Sequence, residues 1–319
     1  MEINSLKSLI DNSNNILVAS HLNPDGDNLG SITAMYLTLK KYGKNVFLIE
    51  DDEVPASLKF LPGINAMIKS KKIKEDADLF ITLDCADMER LGNAKELFLN
   101  AKHTLNIDHH STNTRFAEFN IVDDKSPATG EILFEILTYL GYELDKDIAT
   151  CIYTSISSDT GSFKYDSVRK STFEIAAKLM DYDININDIA VNLYQNRSLQ
   201  KTELLLRALN RLELYEDNKI GIVSINDSDM EECNAKKSDS DGIVEFVRDI
   251  STVELAILLK EKGSVVRLST RSKSYVDCTK IASKFGGGGH IRAAGATIES
   301  NLELAKEEVL KYAIKEIRK

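Results

Sequence analysis

Ile107-Asp108-His109-His110-Ser111 places a carboxylate beside two imidazoles, and three other motifs share the first half of the chain with it. They are His21-Leu22-Asn23-Pro24-Asp25-Gly26-Asp27, Leu83-Asp84 and Ser158-Asp159-Thr160-Gly161, each where an apolar, strand-like or helical run ends. Carboxylates converge in this way only when something neutralises them, and a pair of divalent cations does so. Two ions roughly 3.5–4 Å apart bind one water, lower its pKa and offset charge on phosphoryl and leaving oxygens. The pattern therefore points to a two-metal hydrolase that needs no covalent enzyme intermediate. Singly, the motifs say little: HxxxD is common by chance, and Asp25 and Asp27 also read as a surface turn. Their joint occurrence carries the argument. Asp25-Gly26-Asp27 reads as one tight turn directing two carboxylates, with glycine relieving the backbone. Ser20 and Ser111 lie in no nucleophile elbow and read as packing or capping residues.

The elements that must position these groups alternate between strand and helix. Ile16-Leu17-Val18-Ala19, Asn45-Val46-Phe47-Leu48-Ile49, Leu79-Phe80-Ile81-Thr82-Leu83 and Thr104-Leu105-Asn106-Ile107 are continuous apolar runs, as strands of a parallel sheet covered on both faces are. Leu29, Ile32, Met35 and Leu39 mark one face of a helix ending near Gly43. A second helix has Ser126 as N-cap, Pro127 at its first position, an apolar stripe from Ile132 to Leu140 and Gly141 at its end. Such alternation implies an α/β doubly wound domain, whose sites lie at the carboxyl ends of its strands. His21, Asp84 and Asp108 fall at or just past such ends. From about Asp181 the pattern is helical, with Asn196-Arg197-Ser198 as a linker signal. Strands resume at Ile220-Ser224, Val253-Leu258 and Val265-Ser269, and a last helix covers Leu302 to Ile317, giving a smaller second α/β domain. The expected division is 1–190, a helical linker over 191–210, and 211–319.

At 319 residues with 43% hydrophobic content, the chain has the composition of a soluble globular protein. No apolar run reaches the ~18–20 residues of a membrane span, and Met1-Glu2-Ile3-Asn4 begins no targeting signal, so a cytoplasmic location is expected. Cys85, Cys151, Cys233 and Cys278 are scattered and read as reduced core residues. A net charge of −10 argues against coating long nucleic acid, which takes many Lys and Arg, but leaves short nucleotides open.

Taken together, His21-Leu22-Asn23-Pro24-Asp25-Gly26-Asp27, Asp84, Asp108-His109-His110 and Asp159 resemble the DHH phosphoesterase superfamily. Arg271-Ser272-Lys273, Phe285-Gly286-Gly287-Gly288-Gly289-His290 and Ala293-Ala294-Gly295 resemble the DHHA1 domain that accompanies it in one subgroup. Within that subgroup the chain is similar to the stand-alone bifunctional oligoribonuclease and phosphoadenosine-phosphate (pAp) phosphatase type. The resemblance implies His21, Asp25 and Asp84 as ligands of one ion, and Asp27, Asp84, His109 and Asp159 as ligands of the other. Asp108 would orient an imidazole, and His110 would meet the substrate phosphate or support proton transfer. Mixed imidazole and carboxylate ligation suits two Mn²⁺ ions, as does the resemblance, with Co²⁺, Zn²⁺, Fe²⁺ and Mg²⁺ left open.

The glycine run is no Walker loop, since no Gly-Lys-Ser/Thr follows. Its backbone amides could approach an anion, with His290 and Arg292 adding charge, or it could be a flexible turn. The resemblance implies that Arg271, Ser272, Gly287, Gly288, Gly289 and His290 hold the substrate's terminal phosphate, with the active site in an interdomain cleft. Arg267 stands between an exposed strand residue and a functional one. The implied substrates are very short RNAs cut to 5′-mononucleotides, linear dinucleotides such as pApA and pGpG, and the 3′-phosphate of pAp. Long duplex nucleic acid and membrane are not expected partners; a homodimer is compatible with the family. A manganese-dependent inorganic pyrophosphatase and a RecJ-like exonuclease are the enzymatic alternatives. The first lacks the glycine motif, and the second would call for a further nucleic-acid domain. Membrane-bound cyclic-dinucleotide phosphodiesterases share both domains but carry segments not seen before Met1. A catalytically silent nucleotide sensor is disfavoured because every metal position is filled.

Overall fold

The computed structural model describes Ile3–Lys319; Met1 and Glu2, part of the N-terminal stretch read above for a targeting signal, lie outside the described residues. The chain forms two compact units, Met1–Asn196 and Arg197–Lys319.

The first unit runs α1 (Ile3–Asn12), β1 (Asn15–Ala19), α2 (Gly26–Lys41), β2 (Asn45–Leu48), β3 (Leu79–Leu83), α3 (Lys95–Asn100), β4 (His103–Asp108), β5 (Phe119–Val122), α4 (Thr129–Tyr139), α5 (Lys146–Asp159), α6 (Lys170–Met180) and α7 (Ile186–Tyr194). Its strands form a five-stranded sheet in the order β2-β1-β3-β4-β5, parallel throughout. Side chains alternate between faces. Val18, Ile81 and Ile107 pack with Ile10, Leu29, Leu133 and Ile152 of α1, α2, α4 and α5, whereas Leu17, Ala19 and Phe80 pack with Leu91 and Phe98 of the α3 side. Burial on both faces is why these strands read as unbroken apolar runs. In this strand order the chain reverses direction of progress between β1 and β3, and ligands of such sheets lie outside the carboxyl ends at that point. His21 follows β1 and Asp84 follows β3.

Two helix contacts complete the positioning. A Cβ on Gly26 would lie 2.3 Å from Ser158 Oγ, and one on Gly30 would lie 2.6 Å from the Cys151 carbonyl. Glycine inside a helix costs about 0.5–1 kcal/mol relative to alanine; here it lets α2 and α5 approach closely. The end of α5, with Asp159, thereby comes beside the start of α2, with Asp25 and Asp27. Gly26 is thus the first residue of a helix capped by Asp25, not the relief of a turn. The start of α4 also differs from expectation. Ala128 occupies the N-cap and the helix begins at Thr129; Ser126 instead donates to the Ala128 carbonyl. The orphan amides of Thr129 and Gly130 donate to the Asp27 carboxylate, so a distant residue replaces the local cap.

The second unit runs α8 (Leu199–Asn210), β6 (Glu213–Tyr215), β7 (Ile220–Ile225), α9 (Asp227–Glu232), α10 (Ile243–Arg248), β8 (Leu255–Lys262), β9 (Val265–Ser272), α11 (Cys278–Ala282), β10 (Gly288–His290), β11 (Ala293–Ile298) and α12 (Leu302–Ile317). Its six-stranded sheet has the order β10-β11-β9-β8-β7-β6, with only β7 and β8 parallel. Ile257, Leu259 and Leu268 pack on α11 and α12; Val223, Ala256 and Leu258 face α8 and α10. On β9, Val266, Leu268 and Thr270 are buried while Arg267, Ser269 and Arg271 turn to the other face. The four cysteines are free and buried, and no described helix is long and apolar enough to cross a membrane.

Candidate metal centre

His21 is buried, and its Nδ1–H donates to the Leu22 carbonyl at 2.8 Å, leaving Nε2 as a lone-pair donor. That Nε2 lies 3.3 Å from Asp84 Oδ2 and 4.0 Å from Asp25 Oδ2. Burial holds the imidazole below its usual pKa, in the neutral form a cation requires. Asp25 caps α2 through Oδ1, which accepts from the Asn28 amide, and offers Oδ2 to the site.

Asp84 sits just past β3 in the left-handed region at φ 56°, its amide bonded to the Ile107 carbonyl. Non-glycine residues adopt this conformation at a cost that recurs at functional positions. The side chain is 2% exposed, and its two oxygens face opposite ways: Oδ2 toward His21, Oδ1 toward His109 Nε2 at 3.5 Å. Oδ1 also accepts from Thr129 Oγ1 at 3.1 Å. Burial, then repulsion from Asp27, Asp25, Asp159 and Asp108, raises its pKa well above the carboxylate range.

His109 donates from Nδ1 to the Ser126 carbonyl at 3.1 Å, and its Nε2 lies 3.2 Å from Asp159 Oδ2 and 3.6 Å from Asp27 Oδ2. Burial works against its protonation, but Asp27 and Asp159 outweigh it and raise the pKa. Burial and the nearby Asp27 push Asp159 up to about 8. Asp27 is fully buried and accepts from Ser31, Ser155 and the Thr129 and Gly130 amides. Asp108, at the end of β4, bonds His110 Nδ1 at 2.7 Å and Asn113 Nδ2 at 2.5 Å. Burial alone would raise its pKa; these bonds reverse the direction and keep it ionised. His110 is therefore held with Nδ1–H toward Asp108 and Nε2 free.

All the expected metal ligands are thus gathered, in overlapping groups whose donor atoms lie within 4.8 Å of one another: His21–Asp25–Asp84, Asp27–His109–Asp159 and Asp84–His109–His110. Burial and, after it, like charge raise the pKa values of Asp84 and Asp159; a divalent cation inverts that balance. The carboxylate oxygens, buried at Asp27 and Asp84 and exposed at Asp25, and the imidazole nitrogens of His21 and His109 fit such an ion. The sequence reading missed Thr129, Ser31, Ser155 and Asn113, which hold the ligands in place. Thr129 and Ser155 reach their partners across the fold, whereas Ser31 lies one helical turn from Asp27 and Asn113 lies in the loop just after Asp108, both close enough in sequence to have offered a local hint.

The DHH family, N-terminal domain, matches residues 15–156, and the DHHA1 domain matches residues 208–319. The bifunctional oligoribonuclease and PAP phosphatase NrnA of Thermus thermophilus is 31% identical, over 95% of this chain and 90% of that protein. The protein of the same name from Bacillus subtilis is 27% identical, over 89% of this chain and 90% of its own. The crystal structure of an exopolyphosphatase-related protein from Bacteroides fragilis superposes with a TM-score of 0.92 at 26% identity, covering 98% of this chain and 95% of that one. The chain belongs to the DHH family. It is a phosphoesterase, with a DHHA1 domain in its second unit.

In the DHHA1 unit of this phosphoesterase the residues expected to bind substrate are differently disposed. Arg271, on β9, is half-buried and its Nε bonds Glu245 at 2.9 Å. The buried Ser272 donates its hydroxyl to the Val276 carbonyl. The amides of Gly286 and Gly287 donate to the Ser283 and Ala282 carbonyls. A Cβ on Gly287 would lie 2.1 Å from the Gly295 carbonyl, so this glycine serves the close approach of the chain to β11. Exposed in the motif are Gly286 and the edge strand β10, Gly288, Gly289 and His290. Arg292 bonds the Val276 carbonyl at 2.9 Å.

Proposed function

We propose that this DHH phosphoesterase uses two divalent ions, with Mn²⁺ best suited, to hydrolyse very short RNAs and linear dinucleotides to 5′-mononucleotides and to remove the 3′-phosphate of pAp. The observation that carries the two-ion reading is Asp84, whose oxygens face His21 on one side and His109 on the other. His21, Asp25 and Asp84 would hold one ion, and Asp27, Asp84, His109 and Asp159 the other. Ions so held would supply an activated water and charge stabilisation at phosphorus. The chain's own residues complete the chemistry. Asp108 fixes the His110 tautomer, so that Nε2 meets the phosphate or passes a proton to the leaving oxygen. Arg271, Gly288, Gly289 and His290 grip a substrate phosphate, with Ser272 and Gly287 holding the strand ends behind them. The names of the two NrnA relatives support this choice of substrates.

The test is Mn²⁺-dependent hydrolysis of pAp, pApA, pGpG, a 5-mer RNA, a 24-mer RNA and pyrophosphate. Mononucleotides from the short RNAs with pyrophosphate intact are expected. Cleavage of pyrophosphate alone would overturn the substrate assignment while leaving the metal centre standing.

A further inference from the structure

The face of the second sheet that α8 and α10 cover at β7 and β8 continues past them into a cavity of about 910 Å³, lined in part by Lys260, Arg267, Arg271, Glu245 and Phe285. That volume is in the range of pockets that enclose a nucleotide. Lys260 and Arg267 stand opposite each other in the β8–β9 register. The Lys260 ammonium is half-buried, and its bond is to a neutral hydroxyl, Ser240 Oγ, at 2.6 Å. Among the described residues no carboxylate pairs with it within 4.0 Å, and the Arg267 side chain has neither hydrogen bond nor ion pair.

The carboxylates of the same cavity are engaged elsewhere. Glu245 pairs with Arg271, Asp227 accepts from the Gly263 amide, and Glu261 accepts from the Asp227 amide. Burial raises the pKa of Asp241, against the pull of Lys201 and Lys260. Lys260 and Arg267 thus stand side by side at the cavity, where Asp241 acts on Lys260 through space without a direct ion pair among the described residues. Arg271 lies four positions along the strand from Arg267, roughly 13 Å, so the two serve different anions.

We propose that Lys260 and Arg267 form a further phosphate subsite in the second unit, which takes the third phosphate of an oligonucleotide whose terminal phosphate is held at Arg271. This rests on the substrate reading proposed above and sharpens it: the subsite rewards chains longer than a dinucleotide. A mononucleotide has no phosphate to place there.

Calorimetric binding of AMP and of the trinucleotide pApApA to the full-length protein in EDTA tests this without hydrolysis. Wild type binds pApApA more tightly than AMP. Arg267→Ala lowers pApApA affinity about tenfold, the effect of losing a hydrogen bond to a charged group. It also lowers the steepness of log K against log salt by about 0.7, the value for one contact on a single strand. AMP affinity stays as in wild type, Arg267→Lys restores much of the loss, and Lys260→Met repeats it. Equal pApApA affinity and equal salt steepness in Arg267→Ala and wild type would overturn the subsite. Equal loss for AMP and pApApA would overturn it too, by showing a general distortion of the pocket. Hydrolysis of pApA by the wild type with Mn²⁺, measured separately, reports on the proposed function alone.

Discussion

Thr129→Val removes one hydroxyl from the metal centre and little else. The hydroxyl donates to Asp84 Oδ1 at 3.1 Å, while the Thr129 amide, which valine keeps, donates to Asp27 Oδ2 at 2.7 Å. The substitution therefore frees the orientation of Asp84 and leaves Asp27 clamped. A hydrogen bond to a charged group contributes about 1.5–3 kcal/mol. Partners that orient metal ligands are typically worth about 10–100-fold in metal affinity, which is about 1.4–2.8 kcal/mol. The two ranges coincide, so Mn²⁺ affinity should fall by 10–100-fold. Without metal the loss should be smaller, below about 1 kcal/mol, because Asp84 is then held toward its protonated form and makes a weaker, neutral bond. Free Mn²⁺ measured by electron paramagnetic resonance gives the affinity, and thermal unfolding in EDTA gives the metal-free stability. Thr129→Ser should bind nearly as wild type. Mn²⁺ affinity within twofold of wild type in Thr129→Val would refute the positioning argument; a serine variant as weak as valine would assign the effect to packing.

The metal-free protein should lose stability as pH rises. The folded-state pKa of Asp159 is raised to about 8 and that of Asp84 well above its ordinary value. The folded state thus keeps protons that the unfolded chain releases near ~4, so stability is fullest below that pH and declines up to about 8. Unfolding midpoints in EDTA should fall across this window by several degrees, and saturating Mn²⁺ should flatten the decline; a midpoint constant in EDTA would count against a repelling carboxylate cluster. Asp84→Asn should abolish hydrolysis yet raise the metal-free midpoint at pH 8, since it removes a carboxyl that must take up a proton to be buried among like charges; retained turnover would sink the bridging role. Gly130→Ala sets a Cβ 2.0 Å from Ser155 Oγ and should destabilise by about 1–3 kcal/mol in denaturant titrations. Adding Ser155→Gly should recover part of that loss, and a wild-type midpoint for the single variant would show that α4 yields freely.

The groups that bind metal were legible in the sequence because strand ends are. A buried parallel sheet writes its strands as apolar runs, and His21, Asp84 and Asp108 are the first ionisable residues after three of them. The short strands were not legible. β5 is half-exposed along its whole length, and β10 and β11 are built largely of glycine and alanine, so neither carries an apolar alternation. Gly26 illustrates a subtler limit. Its type was visible and its purpose was not, since what excludes a side chain there is Ser158, far along the chain on α5.

Asp27 explains why the misplaced start of α4 and the missed supports of the site are one error. A local reading seeks a cap beside the helix it caps, and Ser126-Pro127 supplied a plausible one. The fold caps α4 instead with a carboxylate from α2, and the same carboxylate lies 3.6 Å from His109 Nε2. The amides at the start of α4, with Ser31 and Ser155, fix the position of the fully buried Asp27 carboxylate through four hydrogen-bond donors. Asp84 and Asp159 lack so many donors and are pushed toward protonation. Within one cluster, then, one carboxylate is fixed by the fold and two await a cation. Metal binding should therefore release protons from Asp84 and Asp159 while leaving the position of α4 unchanged.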